Sequence, residues 1–205
     1  MVEQRIGAIV LAAGAASRFG SDKLLALYDG APLIRFAVRA AALSSADPIT
    51  LVVAPDKLDA YRPQVRVLGR TIQIVVAERA SSDFAYSLRA GLGSMPEGVA
   101  GVVVLLADMP LVDAPLVNTL IDAYASTDYA VVPEHNGRWG NPVLLSRAAF
   151  ADAEKLGGDC GARRLLRARA NQVRPVTWDS CCLIDVDTKQ ALYELQALNL
   201  IRSSC

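Results

Sequence analysis

Short continuous apolar runs rich in β-branched residues recur along the chain at Ile6 to Ala12, Ile49 to Ala54, Ile72 to Ala77 and Val102 to Ala107. Runs of this length without polar alternation predict strands buried on both faces, as in a parallel sheet. Between them lie helix-like stretches at Pro32 to Leu43, Asp56 to Val67 and Phe84 to Ser94. Pro32 suits a first helical turn, and the alanine-rich Ala37 to Leu43 is good helix material. Strand alternating with helix predicts βαβ units with right-handed crossovers, stacked as a three-layer α/β/α fold around a mostly parallel sheet. Beyond Pro110 the rhythm is less regular. Val112 to Tyr124 reads as a helix, Tyr129 to Pro133 and Val143 to Leu145 as strands, and Ala162 to Ala170 and Thr188 to Leu198 as helices. No repeat or linker interrupts the chain, and Gly157-Gly158 reads as a loop. A length of 205 residues suits one core and is short for two. One domain over 1–205 is expected.

Composition narrows the class. With 53% hydrophobic and 20% charged residues the chain is globular. Its 21 basic and 21 acidic residues cancel, which leaves no concentrated basic face for nucleic acid. No apolar run approaches the roughly 18–20 residues that span a bilayer; Val102 to Ala107 stops at Asp108. Met1 to Arg5 lacks the layout of a secretory signal, so no membrane partner and a cytoplasmic location are expected. Four cysteines (Cys160, Cys181, Cys182, Cys205) form no CxxC pair and no metal-ligand rhythm. Cys181-Cys182 reads as two core or loop thiols in a reducing compartment, a redox pair being the alternative.

The chemistry concentrates after the first strand, in Leu11-Ala12-Ala13-Gly14-Ala15-Ala16-Ser17-Arg18-Phe19-Gly20-Ser21-Asp22-Lys23. In an open parallel sheet, ligands bind outside the carboxyl ends of the strands. Ala12, Ala13 and Gly14 carry almost no side chain, so a base or phosphate can approach the backbone, and successive N–H groups make an anion-binding concavity. Arg18 and Lys23 add two positive charges that suit a triphosphate. Two familiar phosphate loops are excluded. Phe19 stands where a Walker loop needs its second glycine, and no GxGxxG follows the strand.

This loop resembles the LAAGxxxRxGxxK signature of the MobA-like nucleotidyltransferases, the molybdenum-cofactor cytidylyl- and guanylyltransferases, and most closely their cytidylyltransferase (MocA-like) branch. Later motifs arrive in the family's order: Ser87-Leu88-Arg89-Ala90-Gly91-Leu92, Leu106-Ala107-Asp108-Met109-Pro110, Gly140-Asn141-Pro142-Val143, Gly158-Asp159-Cys160-Gly161-Ala162-Arg163 and Asp185-Val186-Asp187-Thr188. The resemblance implies a Rossmann-like nucleotide-diphospho-sugar transferase fold, with a nucleotide-binding half over 1–110 and an acceptor-binding half over 111–205. It implies nucleotide contacts from Leu11, Ala12, Ala13, Gly14, Arg18, Lys23, Ser87 and Asp108.

Asp108 ends the most hydrophobic strand, where a carboxylate suits Mg2+, a hard cation preferring oxygen ligands; capping the following helix is its bland alternative. The resemblance places a second metal ligand in Asp185-Val186-Asp187, foremost Asp187. On a strand, alternation would point Asp185 and Asp187 to one side. No proton-transfer residue is needed, because a phosphate monoester with a second pKa near ~6 is already ionised. Arg18, Lys23 and Asp108 are therefore the expected catalytic residues, acting by positioning and charge neutralisation. His135 is expected on a surface loop.

On the acceptor side the resemblance implicates Asn141, Asp159 and Arg163. Arg163, Arg164, Arg167 and Arg169 form a local positive cluster, suited to an anionic acceptor or simply to a solvated helix face. Two departures bear on base choice. Asp83 and Tyr86 stand where relatives carry a glycine and a small residue, and Asn141 stands where a histidine is frequent. Asp83 and Tyr86 either read the base or cap and pack the helix. The implied activity is Mg2+-dependent transfer of CMP, or GMP, from a nucleoside triphosphate (CTP favoured) to molybdopterin, with a molybdoenzyme receiving the product. The alternatives are transfer to a sugar or alcohol phosphate, and a non-catalytic cofactor-handling protein.

Overall fold

A computed structural model describes residues 4–14, 19–65, 69–78, 84–155 and 161–203. The four long apolar runs become β1 (Ile6–Ala12), β4 (Ile49–Val53), β5 (Ile72–Val76) and β6 (Gly101–Leu106). Between β1 and β4 lies a short hairpin of β2 (Leu27–Tyr28) and β3 (Ala31–Pro32). The later strands are β7 (Ala130–His135), β8 (Arg138–Trp139), β9 (Val143–Ser146) and β10 (Val173–Thr177). Among the described residues one sheet of eight strands runs β10-β7-β9-β6-β1-β4-β5, with β8 attached to β7. Its centre, β6-β1-β4-β5, is parallel as predicted. At β9 the direction reverses: β9 lies antiparallel to both β6 and β7, and β10 runs parallel to β7.

The helices are α1 (Leu33–Leu43), α2 (Leu58–Tyr61), α3 (Phe84–Gly93), α4 (Ala114–Ala123), α5 (Arg147–Glu154), α6 (Gly161–Ala168) and α7 (Lys189–Ser203). Strand alternation divides the apolar residues of β1 between two cores. Ala8, Val10 and Ala12 pack with α1 and α4, whereas Ile9, Leu11 and Ala13 pack with α3, α5 and α6. Burial on both faces explains why β1, β4 and β6 read as unbroken apolar runs. A third, smaller cluster of Phe19, Tyr28, Leu33, Val186, Leu192 and Leu195 docks α7 beside the hairpin.

Several elements differ from the sequence reading. Asp56 to Val67 is not one helix but a 3-10 turn at Pro55–Lys57, the single turn α2 and a second 3-10 turn at Arg62–Val65, with 66 and 67 outside the described residues. Pro63 lacks the N–H that a continuing helix requires. Pro32 closes β3 and precedes the first turn of α1. The β2–β3 and β7–β8 hairpins turn on Asp29-Gly30 and Asn136-Gly137, all at positive φ. β2, β3 and β8, of two residues each, are too short to show periodicity, but such dipeptides are a hairpin signal in themselves. β10 was hidden by Pro175, which is tolerated because β10 is an edge strand.

Two contacts generate predictions. Gly91 lets α3 approach the sheet: a Cβ there would lie 2.7 Å from Ile9 Cγ2 and 3.1 Å from Val52 Cγ2. Gly91→Ala overpacks this interface and lowers unfolding stability by about 1–3 kcal/mol in urea melts. Asp128 accepts a bidentate pair from Arg174, 2.7 Å from Nε and 3.0 Å from a terminal nitrogen, and a bond from the Ala125 N–H. Burial pushes the Asp128 carboxyl up, but Arg174 and Ala125 outweigh it and hold it below the usual carboxylate range. A depressed folded pKa stabilises the fold above the unfolded value near ~3.9 and ceases to do so as pH falls through the folded one. Asp128→Asn therefore costs about 1–2 kcal/mol at pH 7, the lower part of the charged-bond range because Arg174 is half exposed. The gap between wild type and variant closes in melts below about pH 4.

Candidate functional site

Because β1, β4 and β6 run parallel, the loops that follow them meet at one edge of the sheet. After β1 the backbone reaches Lys23, the first residue of a 3-10 turn and, among the described residues, the one charged side chain that is buried, 9% exposed. Its Nζ donates to Asp108 Oδ2 at 2.8 Å and to Asp187 Oδ1 at 3.1 Å. Asp108 lies two residues beyond β6, and its backbone carbonyl accepts from the Val186 N–H at 2.9 Å. That bond pins the Asp185-Val186-Asp187 segment to the β6 edge. The segment is a loop that leads into α7. Val186 is fully buried in the third cluster, which leaves its two aspartates on the other side, so the expected alternation survives without a strand. Burial pulls the Lys23 pKa down; the Asp108 and Asp187 carboxylates outweigh it and hold the ammonium above its ordinary value.

The donor set fits a hard divalent cation. Asp108 Oδ1 is buried with no hydrogen-bond partner, an oxygen whose desolvation is otherwise uncompensated. Asp108 and Asp187 could hold a cation that completes its shell with phosphate and water, the usual arrangement for Mg2+. Among the described residues no three His, Cys, Asp or Glu stand at ligand spacing, so Asp185 does not join the other two in a preformed cage. Asp185 instead opens onto the neighbouring cavity. Its partial enclosure there, then the negative charges of Asp187 and Asp108, push its carboxyl up.

Leu11, Ala12 and Ala13 are buried, and Gly14 emerges from the edge with nothing within 4 Å of the position a Cβ would take. The backbone above β1 is therefore open to a ligand. Arg18, Asp83 and Asp159 lie outside the described residues. Ser87 is buried in the first turn of α3. Tyr86 packs half-buried against the α3 core with the Arg89 guanidinium 5.6 Å from its ring centre, the packing alternative for this residue.

Beside the aspartates lies a cavity of about 600 Å3, reached by Asp185, Asn141, Arg163 and Leu106. Gly140 makes this wall possible: a Cβ would collide with the Cys182 carbonyl and lie 2.8 Å from its Sγ. The Asn141 N–H bonds the same carbonyl at 2.8 Å, which brings the 140s and 180s segments together. The arginine cluster divides. Arg163 and Arg167, one turn apart, face the cavity, whereas Arg164 and Arg169 border a different surface, where Arg169 pairs with Asp152 at 3.3 Å. Sequence reasoning missed Phe84, Arg138 and Trp139 as lining residues. The Asn136-Gly137 turn was the signal that could have placed Arg138 and Trp139 at a hairpin tip.

His135 ends β7 half-buried, its Nδ1 3.0 Å from the Trp178 carbonyl, a structural role and not the expected surface loop. Cys181 and Cys182 are free thiols; burial, with Asp179 adding to it, pushes Cys181 up to about 12 and Cys182 upward, which keeps both protonated. They behave as packing thiols.

Comparison with known proteins agrees with this geometry. Residues 8–173 match the MobA-like NTP transferase domain. The crystal structure of Rv0371c from Mycobacterium tuberculosis superimposes with a TM-score of 0.83 and 27% identity, covering 96% of this chain and all of that one. A second structure, of the same protein in complex with manganese, gives 0.79 and 25% identity over 95% and 99%. In sequence, 2-C-methyl-D-erythritol 4-phosphate cytidylyltransferase of Streptomyces avermitilis is 35% identical over 63% of this chain and 53% of its own length. Bifunctional protein GlmU of Mycobacterium ulcerans is 31% identical over 60% of this chain, which spans about a quarter, 26%, of that relative. The arrangement of motifs, the sheet and the matched model agree that this chain belongs to the MobA-like NTP transferase family.

Proposed function

We propose that the protein transfers a nucleotidyl group from a nucleoside triphosphate to a phosphorylated small molecule, releasing pyrophosphate, with Mg2+ bound at Asp108 and Asp187. The observation that carries this reading is the Lys23 ammonium held between those two carboxylates, beside the open backbone of Ala12 to Gly14 and next to a basic cavity. The manganese complex of the M. tuberculosis relative supports a divalent cation here. When bound, the cation would supply positive charge to the phosphate oxygens.

The residues then have distinct tasks. The N–H groups of Ala13 and Gly14, with Arg18, cradle the triphosphate. Lys23 neutralises charge on the phosphates as the bond between α-phosphorus and bridging oxygen breaks; a cation held by Asp108 and Asp187 would take over the pairing of those carboxylates. An oxygen of the acceptor phosphate, already ionised, attacks the α-phosphorus in line and forms the new phosphoanhydride bond; pyrophosphate leaves with the bridging electrons. No side chain has to move a proton. Arg163, with Asn141 and Asp159, holds the acceptor so that its attacking oxygen meets the donor near Asp185.

The favoured donor is CTP, in keeping with the cytidylyltransferase named among the relatives. The favoured acceptor is molybdopterin, with a molybdoenzyme as the recipient of the product. A second reading, transfer to a sugar or alcohol phosphate, draws on the Streptomyces relative, whose name carries erythritol 4-phosphate.

A melting panel with CTP, GTP, ATP and UTP tests the donor. The true donor at a hundred times its Kd, with Mg2+, raises stability by about 2.7 kcal/mol, and pyrophosphate release with molybdopterin or with erythritol-type phosphates selects the acceptor. Flat melts with all four triphosphates would overturn the reading. Asp108→Asn is expected to keep the fold and abolish metal-dependent turnover; ordinary turnover in that variant removes Asp108 from the metal site. Lys23→Ala is expected to lower kcat/KM for the triphosphate about 10²–10³-fold, comparable with losing one oxyanion-hole donor.

A further inference from the structure

Asp22 presents a contradiction. It precedes Lys23 at the edge where a triphosphate would bind, and a free carboxylate there would repel the phosphates and compete for the lysine. The structure shows it otherwise engaged. Tyr61 donates its hydroxyl to Asp22 Oδ1 at 2.7 Å, and Lys57 Nζ stands 3.2 Å from Asp22 Oδ2. Both partners come from the segment after β4, the strand next to β1. Ala12 and Val53 are register partners at the end of that pair, so the two following loops leave the sheet side by side. Tyr61 is 3% exposed, and the Leu58 of its own turn packs on the core, so the hydroxyl is presented from a fixed element. Burial, then the bond to Asp22, push the phenol pKa upward, which leaves it a permanent donor.

The link from Asp22 to the lysine is short. The Asp22 carbonyl accepts from the Leu25 N–H at 3.2 Å and the Lys23 carbonyl from the Ala26 N–H at 3.1 Å, closing the 3-10 turn that carries Lys23. One side of this turn is fixed by Leu24 in the core. The other is fixed through the Asp22 side chain. We propose that Tyr61, assisted by Lys57, is a positioning residue: by holding and neutralising Asp22 it sets the turn from which Lys23 reaches Asp108 and Asp187. For its effect on turnover the inference rests on the function proposed above. For the placement of Lys23 it does not.

The first arm of the test therefore uses the protein without nucleotide. Reductive methylation, read by mass spectrometry of the Lys23 peptide, is expected to be slow in wild type relative to the exposed Lys155. In Tyr61→Phe and Asp22→Asn the Lys23 rate rises at least fivefold while that of Lys155 stays the same. Unchanged Lys23 rates in both variants, with or without a lowered melting temperature, would overturn the inference. The second arm is a double-mutant cycle on kcat/KM for the triphosphate that the melting panel selects. Tyr61→Phe is expected to lower it about tenfold in wild type and less than twofold in a Lys23→Ala background. Equal losses in both backgrounds mean that Tyr61 does not act through Lys23. Should no triphosphate be turned over, the proposed function fails, and the methylation arm alone decides the role of Tyr61.

Discussion

The architecture converges on one buried ammonium shared by two carboxylates. Lys23, Asp108 and Asp187 come from the loop after β1, the end of β6 and the approach to α7. A charge at 9% exposure is costly unless it is paired. The pairing is satisfied only when all three segments are in register, so the ion cluster reports that the sheet edge is assembled. The surrounding devices, the buried Val186, its bond to Asp108 and the third apolar cluster, secure that register from below.

The sheet divides labour by strand direction. The parallel strands β1, β4 and β6 deliver their loops to one rim, where the open backbone at Gly14 and Asp108, just beyond β6, sit. Beyond β6 the antiparallel β9 and the β8 hairpin build a wall instead of a rim, and α6 closes it with two arginines. The cavity thus borrows Leu106 and Phe84 from the first half of the chain and Arg138, Asn141 and Arg163 from the second. The two halves read from sequence meet in one continuous sheet.

What was legible in sequence follows from this construction. Strands buried on both faces announce themselves as unbroken apolar runs, and β1, β4 and β6 were read with bounds close to those observed. Lys23, Asp108 and Asp187 were named together because a signature loop and an ordered set of motifs constrain them jointly, and the structure brings the three into contact. Sequence was less informative where a residue acts through a distant backbone. Arg138 and Trp139 sit on a two-residue strand with no period to detect. His135 looked like a loop residue because nothing local revealed its bond to Trp178. Tyr61 fell in a stretch read as an ordinary helix, and only the pairing of β1 with β4 puts its hydroxyl on Asp22. The sequence reading put Asp187 ahead of Asp185; the bond from Lys23 to Asp187 and the opening of Asp185 onto the cavity set the two apart in the structure.

The route of the chain gives Asp187 an unusual place. It comes long after the strands that complete the sheet and lies outside the matched family region, which ends at residue 173. It is held by the bond from Val186 to Asp108 and by the docking of α7 through Leu192 and Leu195. Every strand of the described sheet precedes it in the chain. Without the residues after β10, every strand of the described sheet would remain and Lys23 would keep Asp108 alone of its two acids. The ion cluster therefore depends on a segment that the sheet itself does not use.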